Sequence, residues 1–293
     1  MNKNPLFKKE MTGVQRAHRT LFLAVLFFCS LFFLPACSSH LKKAKFHYAQ
    51  GQEYSRRYLA EDATASFKRA LREAEFVVLR HPSSQGYMLK GMAELNLKIW
   101  EEAEESFRKA HSYGFEKGEE WAQQISLLGL ASSLEELGVE DAPLRIYAHL
   151  LDRSKLKPVT IMAAQKYTDA ELRKALQHEG KEREKLLASA LKTTQKLSDK
   201  DLSCGFYHYL QSQVYSHLAD YKKSFEGAVM ARELGLPTEE ILRDNDLQII
   251  FCYRKLKEEL SSDEWGDFQT RYLVWVKKWE WRGPETPDWK KEK

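Results

Sequence analysis

Cys204 and His208 stand four residues apart and share one face of a predicted helix, the spacing at which two side chains reach a single metal ion. A protein-bound zinc needs at least three such ligands. No second Cys/His pair at ligand spacing supports these two, and His217, nine residues further on, falls near the opposite face. Both are therefore expected to be helix-surface or packing residues, with no metal and no other cofactor. The sequence contains no G-x-S-x-G, no Walker loop and no H-E-x-x-H. The runs Glu101-Glu102 and Glu104-Glu105 are a solvated helix face, since Ala103 and Phe107 between them are the apolar positions. With no nucleophile, paired acid or phosphate loop, the chain is expected not to be an enzyme.

The remaining cysteines point elsewhere. Cys252, within Ile249-Ile250-Phe251-Cys252-Tyr253, has the surroundings of a small buried thiol. Export would permit a Cys204–Cys252 disulfide, a pairing that the spacing leaves open. Cys29 and Cys37 belong to the N-terminal segment. There Lys3, Lys8, Lys9, Arg16 and Arg19, against the single acid Glu10, precede an apolar run from Leu21 to Leu34. That run is shorter than the roughly 20 residues a spanning helix needs, and its flanks are those of a signal sequence. Met11 would serve as an alternative start to Met1, because Arg16, His18 and Arg19 alone make an adequate charged region.

Leu34-Pro35-Ala36-Cys37 resembles the bacterial lipobox, with Pro35 where a small or β-branched residue is commoner. The resemblance implies that residues 1–36 are removed and that Cys37, acylated, becomes the first residue and binds the membrane. Two or more buried chains anchor stably where one does not. In enteric bacteria an Asp after the lipidated Cys retains the protein at the inner membrane. Ser38 stands there instead, which implies the periplasmic face of the outer membrane in the bacterial cell envelope.

Self-similarity supplies the architecture. Gly51 is followed by Ala63, Phe67 and Ala70 at offsets of 12, 16 and 19, and Gly91 by Ala103, Phe107 and Ala110 at the same offsets. A small residue on a first helix facing a small residue on a second lets two helices approach closely, and an aromatic one turn later fills the wedge. The pattern resembles the tetratricopeptide repeat, a helix-turn-helix unit. Ser212, Ser224, Ala228 and Ala231 form a fainter copy, and Ala131, Pro143, Tyr147 and Leu150 a degenerate one. From Pro158 to Leu197 two amphipathic helices, parted at Glu179-Gly180-Lys181, are expected by pattern alone.

The resemblance implies an all-α fold: a right-handed helical solenoid of tetratricopeptide type with a C-terminal cap. Its parts would be a signal peptide over 1–36, a lipid-anchored tether over 37–43, repeats over 44–237, and a helical cap with a Trp-rich tail over 238–293. In the cap, Ser261 to Glu264 has the form of a capping box. Trp265, Phe268, Tyr272, Trp275 and Trp279 then form one aromatic stripe, expected to close the open end of the solenoid or to meet a partner or membrane surface. The tail with Trp281 and Trp289 either lacks order or presses back on the body.

In this family peptides lie along the first helices of successive pairs. Carried over by motif position, that groove would present Tyr48, Gln52 and Arg56, then Met88, Met92 and Asn96, then Tyr209, Gln213 and His217. These adaptable contact residues imply a protein or peptide of the envelope as partner. Composition agrees: 43% hydrophobic and 12% aromatic residues supply a core, and without the first 36 residues the basic and acidic side chains balance. A balanced chain has no broad cationic field, so nucleic acid is not expected as a partner. The implied function is a membrane-anchored, non-catalytic protein-binding scaffold that assists assembly of an envelope complex. The alternative is a spacer lipoprotein without a specific ligand, which a uniformly charged concave face would favour.

Overall fold

A computed structural model describes residues 39–286. Within them the chain is helical throughout, without a strand, and forms two compact units, one ending at Val159 and the other beginning at Thr160. The first unit contains α1 (Ser39–Arg56), α2 (Ala60–Arg80), α3 (Ser84–Asn96), α4 (Trp100–Tyr113), α5 (Glu120–Glu136) and α6 (Asp141–Arg153). The second contains nearly all of α7 (Lys157–Leu176), then α8 (Gly180–Lys200), α9 (Gly205–His217), α10 (Tyr221–Leu234), α11 (Glu239–Glu259) and α12 (Ser262–Lys278). Residues 39–43, expected as tether, are the first turns of α1; Cys37 and the rest of 1–38 lie outside the described residues, as does Trp289.

The repeat register is visible in the backbone. Seven residues after Gly51, Gly91, Ala131 and Ser212 stand Tyr58, Lys98, Gly138 and Ala219, with φ of 59°, 61°, 76° and 59°. Each left-handed residue ends a first helix, and the next amide bonds back across the turn: Leu59 to the Tyr54 carbonyl, Ile99 to Glu94, Val139 to Leu134 and Asp220 to Tyr215, all at 2.9–3.0 Å. This closure satisfies carbonyls that the helix end would otherwise leave without donors. It reverses the chain in a few residues, so the second helix packs antiparallel on the first.

Residues at offsets 12, 16 and 19 are buried in all four copies. The contact that fixes spacing is between glycine and ring. A Cβ on Gly51 would lie 2.6 Å from the Phe67 ring, and one on Gly91 3.0 Å from the Phe107 ring. Phe107, fully buried, also presses on Gly129 of the following pair and leaves no room there for a side chain. One ring thus closes two interhelical gaps. In the fainter copy Ala228 stands where the aromatic does, and the pair is tied at offset 12 instead: Ser224 Oγ donates to the Ser212 carbonyl at 2.8 Å and accepts from Gln248 Nε2 at 3.0 Å. At the start of that copy, Gly205 permits the close approach of α9 to the end of α10, where a Cβ would meet the carbonyl oxygens of Ala231 and Gly235.

Buried polar groups tie α3 to α4. Ser106 donates to the Glu94 carboxylate at 2.6 Å, and Lys90 pairs with the same carboxylate. Burial nevertheless raises the Glu94 pKa, with the bonds from Lys90 and Ser106 acting against it.

The aromatic stripe of α12 is spent inside the second unit. Phe268, Tyr272 and Trp275 are buried with Ile249, Tyr253 and Leu256 of α11 and Phe225 of α10. The Phe225 and Phe268 rings meet edge-on at 4.7 Å, and Tyr253 stacks on Tyr272 at 3.8 Å. Half of the expected capping box forms: the Glu264 carboxylate accepts from the Ser261 backbone N–H, and from its hydroxyl at 2.8 Å, but that hydroxyl accepts no helix amide. The described tail presses back on the body, with Trp281 beside Trp275 and the Tyr272 hydroxyl donating to the Glu285 carbonyl at 3.1 Å.

Candidate functional site: the first-helix face

In the first unit the repeat register brings Tyr48, Gln52 and Asn96 together. Gln52 Nε2 donates to the Tyr48 hydroxyl at 2.7 Å, and Asn96 Nδ2 reaches the same oxygen at 3.2 Å from the next pair. The Tyr48 ring rests against Phe67, their centroids 5.6 Å apart, so the ring that separates α1 from α2 also aims this hydroxyl. Burial pushes the Tyr48 pKa up to about 12, opposed by the bonds from Asn96 and Gln52. It is a neutral hydroxyl that both accepts and retains a proton to donate.

The other expected groove residues of this unit are placed differently. Arg56 is exposed and pairs with Glu53 at 2.7 Å, one turn back on its own helix. Met92 is half-buried against two core clusters. Met88 corrects the expectation: it is 1% exposed and packs with Leu41, Ala44, Ala74 and Leu89. It sits where α3 wedges against the preceding pair, so the face it was assigned to is a seam between pairs rather than open surface.

The second unit repeats the Tyr–Gln device at the same register. Gln213 Nε2 donates to the Tyr209 hydroxyl at 2.8 Å, as Gln52 does to Tyr48. Like Met88, Tyr209 corrects the expectation of an open groove residue: it is buried, leaving Gln213 as the member of the pair that reaches the surface, and burial pushes its pKa up to about 12, reinforced by Asp244, Asp169 and Glu240. Beside this pair is a cavity of about 300 Å³, lined by Gln213, Ser216 and His217 of α9, Asp169, Leu172, Arg173 and Leu176 of α7, and Gln248 of α11. His217 has its pKa lowered by burial and then by Arg183, whose guanidinium lies 3.4 Å from the His217 carbonyl oxygen. It is a neutral imidazole at neutral pH.

Gln213 and His217 thus line one cavity, while the α7 and α11 contributors were not legible in the sequence. The α7 segment carries none of the repeat residues that would have set its register. The surface is mixed, two amides, a hydroxyl, an imidazole and two leucines with one acid and one guanidinium, rather than uniformly charged.

Cys204 is buried, and His208 Nε2 lies 3.2 Å from the Leu202 carbonyl. Among the described residues, no group of three or more His, Cys, Asp or Glu is placed to hold a metal ion. Cys204 and Cys252 are both buried and not joined in a disulfide, the Cys252 thiol donating to Ser224 Oγ at 3.2 Å. No described helix is long and apolar enough to cross a membrane.

No protein-family model matches the chain, and no curated protein sequence matches it. Among solved structures it is similar to the crystal structure of YrrB, described as a TPR protein with an unusual peptide-binding site. The identity is 16% and the TM-score 0.40, over 72% of this chain and 100% of that one. The chain's own packing carries the architectural conclusion. Small first-helix residues, a left-handed turn seven residues on, and buried positions at offsets 12, 16 and 19 make this an all-α fold of tetratricopeptide-like helix pairs.

Proposed function

We propose that this chain is a non-catalytic protein-binding scaffold of the bacterial cell envelope, which engages an envelope protein or peptide along the first helices of its pairs. The observation that carries this reading is the recurrence of one device at one register. Tyr48–Gln52 and Tyr209–Gln213 each hold a neutral hydroxyl and amide on a first helix, and the second pair borders an open polar cavity. Such groups recognise backbone and side-chain amides without a charge requirement. The lipobox-like Leu34-Pro35-Ala36-Cys37 supports the location: acylation at Cys37 would hold the scaffold at the periplasmic face of the outer membrane, where tethering raises effective concentration.

A photo-crosslinking side chain placed at Gln52 or Gln213 in cells tests the groove. It is expected to capture the same protein from both positions, and the same group at exposed Glu101 is expected to capture nothing in common with them. Different captures at Gln52 and Gln213, or one shared with Glu101, would remove the first helices from the binding surface. Replacement of Cys37 by Ala tests the location separately: binding in vitro is expected to persist while function in the cell is lost.

A further inference from the structure

The end of the first unit nearest its N-terminus carries an apolar surface that the fold leaves uncovered. Leu79 is 81% exposed and Phe76 47% exposed, on the last turns of α2. His40, on the first turn of α1, stacks on Phe76 at 5.0 Å, and the Arg80 guanidinium lies over the same ring, 5.8 Å from its centroid. Glu73 is occupied by His40 at 2.6 Å, and exposed Glu75, one turn before Leu79, is the remaining acid at this edge of α2. Lys42 and Lys43, both exposed, follow on α1.

What lies beside this surface is set by the chain. Cys37 precedes Ser39, where α1 begins, by two residues, and two residues span roughly 7 Å at most. If acyl chains on Cys37 are buried in a bilayer, His40 and the α2 turn stacked on it are brought to the headgroups. Aromatic and aliphatic side chains flanked by Lys and Arg are the composition that enters this boundary, the apolar groups towards the acyl region and the cations among anionic headgroups. We propose that the surface formed by His40, Phe76, Leu79 and Arg80 docks on the membrane that holds Cys37. The scaffold is then oriented by a second contact as well as tethered by lipid. This inference rests on acylation of Cys37 and goes beyond the groove.

The test uses the full chain expressed with its own leader and purified from membranes. Leu79→Cys is labelled with a polarity-sensitive fluorophore; Cys204 and Cys252 are buried and stay unlabelled in the folded protein. The protein is reconstituted into phosphatidylcholine vesicles with and without phosphatidylglycerol. The expected result is blue-shifted emission that brominated lipids quench, stronger with phosphatidylglycerol, while the same label at Glu101→Cys keeps water-like emission and is not quenched. Intact mass of the same preparation reports the state of Cys37. Acylated Cys37 with a water-like probe at position 79 overturns the docking and leaves the anchor standing. Cys37 without acyl chains overturns both.

Discussion

Lys98 and Ala219 hold the same left-handed backbone, φ 61° and 59°, each seven residues after the small residue that begins its repeat register. Neither is glycine, so each turn carries the steric cost of a Cβ near a carbonyl, about 1–2 kcal/mol. Gly138 fills the equivalent place without that cost.

Ala219→Gly is therefore expected to stabilise the second unit. The relief of the left-handed conformation exceeds the roughly 0.5–1 kcal/mol of chain entropy that glycine brings to the unfolded state. Urea denaturation should show a higher midpoint; an unchanged or lower one would mean that the turn is not held as described.

Gly51 and Gly129 should reject even a methyl group. At Gly129 the Phe107 ring fills the space, and overpacking typically costs about 1–3 kcal/mol. Gly91→Ala is expected to be destabilising as well, though less than Gly129→Ala: its 3.0 Å contact is with the same Phe107 ring, which Gly129 holds on its other side, and the gain of up to about 1 kcal/mol in helix propensity offsets only part of that cost. Ala103→Trp should be severe and Glu102→Ala nearly silent. Denaturation midpoints of the five variants give the order, and equal values for Ala103→Trp and Glu102→Ala would mean a wrong register.

Asp246 supplies a pH dependence. It is buried beside Arg232 at 3.1 Å, whose guanidinium in turn lies 4.3 Å from the Trp279 ring centroid. Burial raises its pKa to about 6, with Arg232 pulling the other way. Between the unfolded value near 4 and about 6 the folded chain holds the extra proton. This group's contribution to stability is therefore present at low pH and falls as pH rises through that window. The stability difference, wild type minus Asp246→Asn, should decrease from about pH 4 to about pH 6 and then level off. A difference that grows with pH would reverse the sign and the assignment.

Cys204 and Cys252 should resist thiol reagents in the folded chain and react on unfolding, since both are buried and burial raises the Cys252 pKa. Peptide mapping after labelling with and without urea distinguishes this from a disulfide, which would leave both unlabelled in either condition.

The sequence by itself determined the helix pairs and their register. Gly51/Phe67 and Gly91/Phe107 are local pairings at fixed offsets, and steric fit between two neighbouring helices is written into residue size. The same offsets carried the degenerate Ala131 and Ser212 copies, whose turns prove equivalent. Tertiary structure alone decided which first-helix side chains stay open. Position 88 shares its register with 48 and 209, yet Met88 is sealed by Leu41 and Ala74 from an earlier pair, while Tyr48 keeps its hydroxyl for Asn96. Likewise the cavity beside Gln213 needed α7, whose Asp169 and Arg173 stand in a segment without repeat residues. Exposure depends on what packs across each helix from distant sequence, and periodicity within one helix does not record it.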